Sequence, residues 1–290
     1  MAILGVIGGS GLYEIAGLEG ARRVELDTPF GAPSDGYVFG RLAGHDIAFL
    51  PRHGVGHHLL PSEINFRANI YGMKSMGADA ILSISAVGSL REQIVPGQVV
   101  VPDQFIDRTR GRISTFFGEG IVAHVGFADP FCPILSRLLA DSAREAGATV
   151  HQGGTYVCME GPQFSTRAES ELYRGWGGDV IGMTNLQEAK LAREAEICFA
   201  TLAMVTDYDC WRSSGESVVI EEVLKVLAAN SDMAKRTVTI TAERITDERA
   251  CGCRTALENA IITNPAVIPS ERLEALSVIV DRAMHGAKSS

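Results

Sequence analysis

The sequence lacks three features that would place it in broad functional classes. It has no run of eighteen apolar residues, so no membrane span is predicted. Its net charge is −9 and no long basic block occurs, which argues against nucleic acid as a partner. The N-terminal apolar stretch has no basic region before it and is interrupted by Gly5, so we expect no secretory signal and no membrane partner. We therefore expect a cytoplasmic location.

Cysteine is scarce, and its spacing predicts no metal centre. Four of the six cysteines, at positions 132, 158, 198 and 210, stand in apolar or mixed segments and are typical of reduced, buried thiols. Cys251-Gly252-Cys253 is compatible with half of a metal site, a strained redox pair or two ordinary thiols beside a turn. A metal site needs two more ligands, and no matching pair lies nearby in the sequence. We therefore expect no metal.

The 290 residues, 46% of them hydrophobic, suit one sizeable globular domain spanning 1–290. Short apolar runs typical of strands alternate with helical patterns, which predicts an α/β fold with a central mixed, largely parallel β-sheet flanked by helices. The predicted strands are 3–7, 47–50, 81–85, 99–101, 156–158, 180–183 and 199–205. Helical spacing occurs in 66–73, 220–227 and 273–283, the last within a helical tail of about 251–290. Asn185 and Glu188 have the spacing of a helix capping box.

Ligands of such folds bind beyond the carboxyl ends of the strands. The first strand ends in Gly8-Gly9-Ser10-Gly11, which continues neither as a dinucleotide fingerprint, since Glu14 replaces its last glycine, nor as a P-loop. This turn either approaches a phosphate closely or turns tightly without a ligand. Further hydrogen-bond donors follow other predicted strands: Arg52, His53, Ser85 and Thr184. Together these donors could neutralise a dianion, and the planar guanidinium fork of Arg52 suits phosphate.

Two acids, Asp207 and Asp209, follow the last predicted strand. Residues two apart in a strand point to the same face, so we expect the two carboxylates to lie side by side. Such a pair suits acid/base chemistry or recognition of a group that presents N–H donors. It is equally compatible with a capped turn, because Asp is common in turns.

Six segments together resemble the 5′-methylthioadenosine phosphorylases, in the trimeric branch of the purine nucleoside phosphorylase family. They occur in the family's order between Ile3 and Leu227 and read IGGSGL, RHGVGHHLLPSEINFRANI, SAVGSLREQIVPGQVVVPDQFIDRT, MEGPQFSTRAE, IGMTNLQEA and TDYDCW. The resemblance implies phosphorolysis: inorganic phosphate attacks C1′ of methylthioadenosine and releases adenine and 5-methylthioribose 1-phosphate. It also implies a homotrimer that acts in purine salvage and needs no cofactor, since phosphate is a co-substrate.

Carried over by position, the resemblance assigns roles to sixteen residues. The phosphate site would comprise Ser10, Arg52, His53, Ser85, Ala86 through its backbone, and Thr184. Met183 would lie along the ribose, with Phe164 and Ser165 at the base. Asp207 would protonate the leaving purine at N7, and Asp209 would hold its 6-amino group. Apolar residues of the 5′ pocket would be Ile220, Val223 and Leu224, with His57 near the 5′ end and His124 lent by a neighbouring subunit.

Two alternatives remain open. A purine nucleoside phosphorylase acting on adenosine, inosine or methylthioinosine would share the fold and the phosphate site. A carboxylate pair nevertheless favours a 6-aminopurine, because a 6-oxo group is an acceptor and needs a donor opposite it. A nucleoside-binding protein without turnover is the other alternative, and phosphate-dependent release of adenine would exclude it.

Overall fold

The computed structural model describes residues 3–9, 12, 14–212 and 220–285, with the backbone alone at 220–224, 227 and 285. The strands are β1 Ile3–Gly8, β2 Glu19–Val24, β3 Tyr37–Leu42, β4 His45–Pro51, β5 Ala78–Ser89, β6 Val99–Val101, β7 Gln104–Arg108, β8 Val150–Gln152, β9 Thr155–Met159, β10 Val180–Gly182 and β11 Cys198–Asp207. The α-helices are α1 Phe66–Ser75, α2 Pro133–Glu145, α3 Arg167–Gly175, α4 Asn185–Glu194, α5 Ile220–Arg244 and α6 Ser270–His285.

The strands form one mixed sheet, as the sequence predicts. Its main path runs β2-β3-β4-β1-β5-β10-β9-β7, while β11 pairs with β5 and β6, and β6 pairs with β8. Six pairings are parallel, among them those of β1 with β4 and β5 and that of β5 with β11. Four are antiparallel, including β5 with β10. The predicted α/β class with a largely parallel, mixed sheet is confirmed.

The sheet is buried on both sides, which explains the near-continuous apolar runs of its central strands. One cluster of buried side chains packs β1, β5 and β11 against α2 and α5, and another packs the opposite side against α1, α4 and α6. The helices predicted at 66–73, 220–227 and 273–283 lie within α1, α5 and α6. Within the described ranges, no helix combines the length and apolarity needed to cross a membrane.

The predicted capping box at the start of α4 is wrong. Asn185 is the first helical residue and is fully buried, and Thr184 at the N-cap makes no side-chain capping hydrogen bond. Both predicted box residues instead reach into the sheet, because α4 packs so closely on it that their polar ends meet strand residues rather than their own helix. A true capping box opens α3, where Thr166 and Glu169 bond each other's backbone N–H groups.

Candidate active site

Strand register brings the predicted phosphate donors to one edge of the sheet. Gly8 of β1 lies beside Pro51 of β4, so Arg52 follows directly beyond that end, and its backbone N–H donates to the Gly8 carbonyl over 2.8 Å. On the other side β10 runs antiparallel to β5, with Ile181 opposite Gly88. β10 ends at Gly182, two residues before Thr184. The ends of β1, β4 and β10 are connected through β5, which carries Ser85 inside the strand rather than beyond its end.

The guanidinium of Arg52 is buried and bonded to protein groups. Its Nε and Nη2 face the Glu188 carboxylate, with Nη2 3.1 Å from Oε2. Nη2 also donates to the Ser83 hydroxyl at 2.6 Å, and Nη1 donates to the Ile84 carbonyl at 3.0 Å. The sequence predicted that the fork of Arg52 faces phosphate; in the structure Nε and Nη2 face the Glu188 carboxylate. One N–H of Nη1 is left over from these bonds for a phosphate oxygen.

The Arg52–Glu188 pair belongs to a longer chain of hydrogen bonds through Ser83. The Ser83 hydroxyl donates to Glu188 Oε2 at 2.6 Å and accepts from Asn185 Nδ2 at 2.7 Å. The Asn185 carbonyl oxygen in turn accepts from the Thr201 hydroxyl at 2.6 Å. These five residues, which we call the polar network, join β4, β5, β11 and the start of α4. Sequence reasoning missed it, because its bonded partners lie up to 136 residues apart.

Two buried hydroxyls lie near the polar network. The Ser85 and Tyr156 hydroxyls are close enough to interact with each other, but neither makes a hydrogen bond of normal geometry to a described residue. The Thr184 hydroxyl is not used to cap α4, whose N-terminal N–H groups begin just beyond it. A side chain at Gly182 would collide with the Tyr156 hydroxyl at 1.9 Å, so glycine is required there. Unpaired hydroxyls next to a helix N-terminus suit an anion.

His53 is held as a neutral ring at this edge. Its Nδ1 lies 2.8 Å from the Leu59 carbonyl, which requires the proton on Nδ1 and leaves Nε2 with a lone pair. Burial, the Arg52 charge and His57 lower the pKa of His53 to about 4, although the bond to Leu59 opposes this. The His57 ring stacks on His53 with centroids 4.2 Å apart. To act as a donor to phosphate through Nε2, His53 must therefore take up a proton.

Arg112 joins Met183, predicted to lie along the ribose, to Glu160, which precedes the residues predicted at the base. Its side chain is 2% exposed, and Nε donates to Glu160 Oε1 at 2.9 Å. Nη1 donates to the Met183 carbonyl and to Gln187 Oε1, the latter at 3.2 Å. Met183 packs on Gly161, where a Cβ would lie 2.5 Å from its sulfur. Sequence reasoning did not single out Arg112, because an Arg in a polar Thr-Arg-Gly-Arg stretch has the pattern of an exposed loop.

The two acids lie close together, although not as strand neighbours. β11 ends at Asp207, and Asp209 has a φ of 52°, so the predicted alternation within one strand is wrong. Their proximity comes from the turn, in which the Asp209 N–H donates to Asp207 Oδ1 at 2.7 Å. Both side chains lie over Gly88, whose Cβ would come within 3.0 Å of Asp207 and 3.3 Å of Asp209.

The pKa of each carboxyl group of this acid pair is raised. Burial raises the pKa of Asp207, while hydrogen bonds from Thr206 and the Asp209 N–H oppose it. Burial and the neighbouring Asp207 charge raise the pKa of Asp209, against a short hydrogen bond from the Ser170 hydroxyl. Burial is the largest cause for both groups. A raised pKa extends the pH range in which such an acid holds a proton.

Phe164 and Ser165 precede α3 beside the acid pair. Phe164 is 45% exposed, which leaves its ring free to stack on a flat ligand. Ser165 is buried, and its carbonyl accepts from the Cys210 thiol at 3.1 Å, which connects this loop to the turn after Asp209. Ala86 is exposed on β5 between Ser85 and the acid pair.

Five predicted site residues are not part of the site described above. Ser10 and the side chains of Ile220, Val223 and Leu224 lie outside the described residues. His124 is exposed, and its backbone N–H donates to the Ala260 carbonyl at 2.9 Å, next to the bridge between Ala123 and Ile261. Its segment therefore pairs with the C-terminal tail.

Comparisons with known proteins agree on one family. A family model described as the phosphorylase superfamily matches residues 3–243. The S-methyl-5′-thioadenosine phosphorylase of Geobacter sulfurreducens is 58% identical over 279 residues, covering 96% of this chain and 98% of its own. The protein of the same name from Koribacter versatilis is 55% identical over 281 residues, covering 97% and 96%.

Solved structures give the same result. The crystal structure of a methylthioadenosine phosphorylase from an Antarctic soil metagenomic library has a TM-score of 0.92 and 46% identity, covering 96% of this chain and 98% of its own. The methylthioadenosine phosphorylase of Schistosoma mansoni in complex with adenine has a TM-score of 0.84 and 34% identity, covering 90% and 99%.

Proposed function

This chain belongs to the phosphorylase superfamily, and we propose that it catalyses phosphorolysis of 5′-methylthioadenosine to adenine and 5-methylthioribose 1-phosphate. The observation that carries the proposal is the presence of two chemically different groups along β5. Ser85 lies among hydrogen-bond donors and has no hydrogen bond of normal geometry, and the acid pair lies over Gly88. Three residues of strand separate them by about 10 Å, which leaves room for a sugar between an anion and a base.

On the donor side, inorganic phosphate is the nucleophile. Ser85, Thr184 and the N–H groups at the start of α4 hold it, with Ser10, Ala86, His53 and the remaining Arg52 N–H as further donors. Holding phosphate against C1′ removes most of the entropy cost of a bimolecular encounter. Its negative charge stabilises the oxocarbenium-like transition state as the bond from C1′ to N9 breaks and that to phosphate oxygen forms.

On the acid side, the purine leaves with developing negative charge and takes a proton at N7 from Asp207. The raised pKa of Asp207 supports this role, since the group must be protonated to donate. Asp209 accepts from the 6-amino group, and Phe164 stacks on the ring. A pair of acids facing the base favours adenine over a 6-oxopurine, whose carbonyl needs a donor.

The remaining assignments complete the proposal. Ile220, Val223 and Leu224 form an apolar 5′ pocket that prefers a methylthio group to a hydroxyl, with His57 near its mouth. The protein acts as a homotrimer in which the exposed His124 reaches a neighbouring site. The reaction needs no metal or organic cofactor and serves purine salvage. The six free thiols fit a reducing cytoplasm.

One assay tests this function. Methylthioadenosine, adenosine, inosine and methylthioinosine are each incubated with and without phosphate, and release of the free base is followed. We expect fast, phosphate-dependent release of adenine from methylthioadenosine and slower release from adenosine, by roughly 10–200-fold, because one small apolar group is lost. Faster release from the two 6-oxo nucleosides would overturn the substrate assignment. Binding without base release would overturn catalysis.

A further inference from the structure

Four of the six cysteines converge on one point, away from the acid pair and the polar network. The sulfur atoms of Cys132, Cys198, Cys251 and Cys253 all lie within 4.8 Å of one another. We call this group the thiol cluster. Cys132 and Cys198 are free and buried, as expected, and they lie next to each other and to two further thiols. Cys251 and Cys253 have no further candidate ligands nearby in the sequence, but the fold brings Cys132 and Cys198 next to them.

The four thiols come from three separate parts of the fold. Cys132 is the N-cap of α2, and its sulfur accepts from the Leu135 N–H at 3.5 Å. Cys198 begins β11, and its sulfur lies 3.4 Å from that of Cys251. Cys251 and Cys253 stand after α5, where a short 3-10 turn carries both into the same apolar layer. A thiolate at the start of a helix is favoured by the N-terminal N–H groups.

The surroundings exclude water and supply positive charge. Three of the thiols are buried and Cys251 is half-buried. Arg249 forms an ion pair with Asp79, its side chain is 3% exposed, and its charge also interacts with Cys198. Arg254 pairs with the same Asp79. Cations beside the cluster would compensate part of the negative charge that a set of thiolates carries.

We propose that the thiol cluster is a structural site for a thiophilic divalent cation, Zn²⁺ being the natural occupant. Four thiolates at a Zn–S distance of about 2.3 Å place their sulfurs about 3.8 Å apart in a tetrahedron, close to the spacing seen here. Binding releases one proton from each thiol and leaves a complex with two net negative charges. Because all four positions are filled by protein, the site holds no open position for a substrate and is structural.

The position of the cluster indicates what such a site does. The family match ends at residue 243, so two ligands belong to the matched region and two to the segment after it. Zn²⁺ would tie the segment from Cys251 onward, including α6, to the start of β11 and to α2. The metal therefore fastens the C-terminal tail to the sheet rather than taking part in phosphorolysis.

The test begins with the unaltered protein, so that folding of a variant is not at issue. Protein purified without oxygen and with a phosphine reductant is mixed with excess Zn²⁺, desalted and analysed for metal by mass spectrometry. We expect about one Zn²⁺ per chain. Replacement by Co²⁺ should give the intense visible bands of a tetrahedral tetrathiolate. Removal with a strong chelator should lower the melting temperature, while the folded enzyme keeps its turnover number.

Single substitutions then locate the site. We expect Cys253→Ser and Cys132→Ser to retain less than about a tenth of the Zn²⁺ after competition with a chelator. Cys210→Ser is the matched control and should retain all of it, because that thiol bonds only outside the cluster in the described structure. Retention of less than about a tenth of an equivalent by the unaltered reduced protein would overturn the proposal. So would two disulfides among the four cysteines in oxygen-free protein.

Discussion

Glu188 and Asp209 are both buried acids of the candidate site, 1% and 7% exposed, but their partners differ in charge. Glu188 faces the Arg52 guanidinium and the Ser83 hydroxyl, so its charge is matched inside the protein. Within the described residues the acid pair is bonded to neutral donors, among them Thr206, Ser170 and a backbone N–H. The comparison teaches that deep burial is compensated in two ways: by an opposite charge at Glu188 and by neutral donors alone at the acid pair, whose pKa values are raised.

The largest effect should come from breaking the matched pair. Glu188→Gln leaves the Arg52 charge buried without a counter-charge, which costs on the order of 3–5 kcal/mol in free energy of unfolding. Urea denaturation measures this loss. The control is Glu171→Gln in the exposed pair with Arg174, where the change should stay below about 1 kcal/mol. Equal stability losses in the two variants would mean that the pair is not the structural unit described here.

In the acid pair, Asp207→Asn should act on the reaction more than on stability. The amide resembles the protonated acid in shape but cannot give up a proton to N7, so kcat/KM for methylthioadenosine should fall by about 10²–10⁴-fold. Stability should stay equal or rise. Steady-state kinetics and denaturation measure the two quantities. Asp141→Asn, on the exposed face of α2, is the control. Nearly full activity of Asp207→Asn would remove the general-acid role.

A matched pair of serines sharpens the comparison. Ser83→Ala removes the centre of the polar network and leaves buried partners unpaired, which should cost about 1–3 kcal/mol of stability and weaken phosphate binding. Ser170→Ala removes a hydrogen bond to Asp209 and should raise the pKa of that carboxyl further, because the bond favours its ionised form. Asp209 accepts best from the 6-amino group when it is ionised, so the acidic limb of the pH profile of kcat should move to higher pH in Ser170→Ala, while that of Ser83→Ala should stay in place. The same shift in both variants would mean that the polar network and the acid pair do not act separately.

The pH dependence of stability should also distinguish the acid pair from the polar network. The folded pKa of Asp207 lies above its ordinary value of 3.8, so the folded state binds the proton more tightly than the unfolded chain. Ionisation therefore weakens the fold at neutral pH, and this penalty disappears as the pH falls through the raised pKa to below 3.8. Asp207→Asn should be more stable than the unaltered protein at pH 7, with the difference closing on acidification. A difference that is constant from pH 7 to pH 4 would contradict the pKa shift.

The sequence predicted the parts of this molecule that depend on local pattern. Apolar runs located the central strands, and spacing located α1, α5 and α6. It missed β2, Glu19–Val24, which is almost entirely exposed and carries no apolar signal. It predicted which residue types would meet at the strand ends, because carboxyl ends of parallel strands share an edge.

Interactions between remote residues could not be predicted in this way. Arg52 was predicted to be a phosphate ligand with a free guanidinium because its partner Glu188 is 136 residues away in the sequence. Glu188 itself has the spacing of a helix cap, and only its burial against β5 shows the other role. The thiol cluster is a similar case, since spacing along the chain shows two of its members and packing supplies the other two.

The smallest effect concerns the proton that His53 must gain. Its pKa of about 4 makes the free ring neutral, and a bound dianion should raise that pKa by favouring the imidazolium. Sulfate binding should therefore be accompanied by uptake of a fraction of a proton, and should tighten as the pH falls toward the pKa of the free ring. Sulfate is a suitable probe because it does not titrate in this range. Calorimetry in two buffers of different ionisation enthalpy measures the uptake. His53→Asn should abolish it, and uptake that persists in this variant would place the proton on another group.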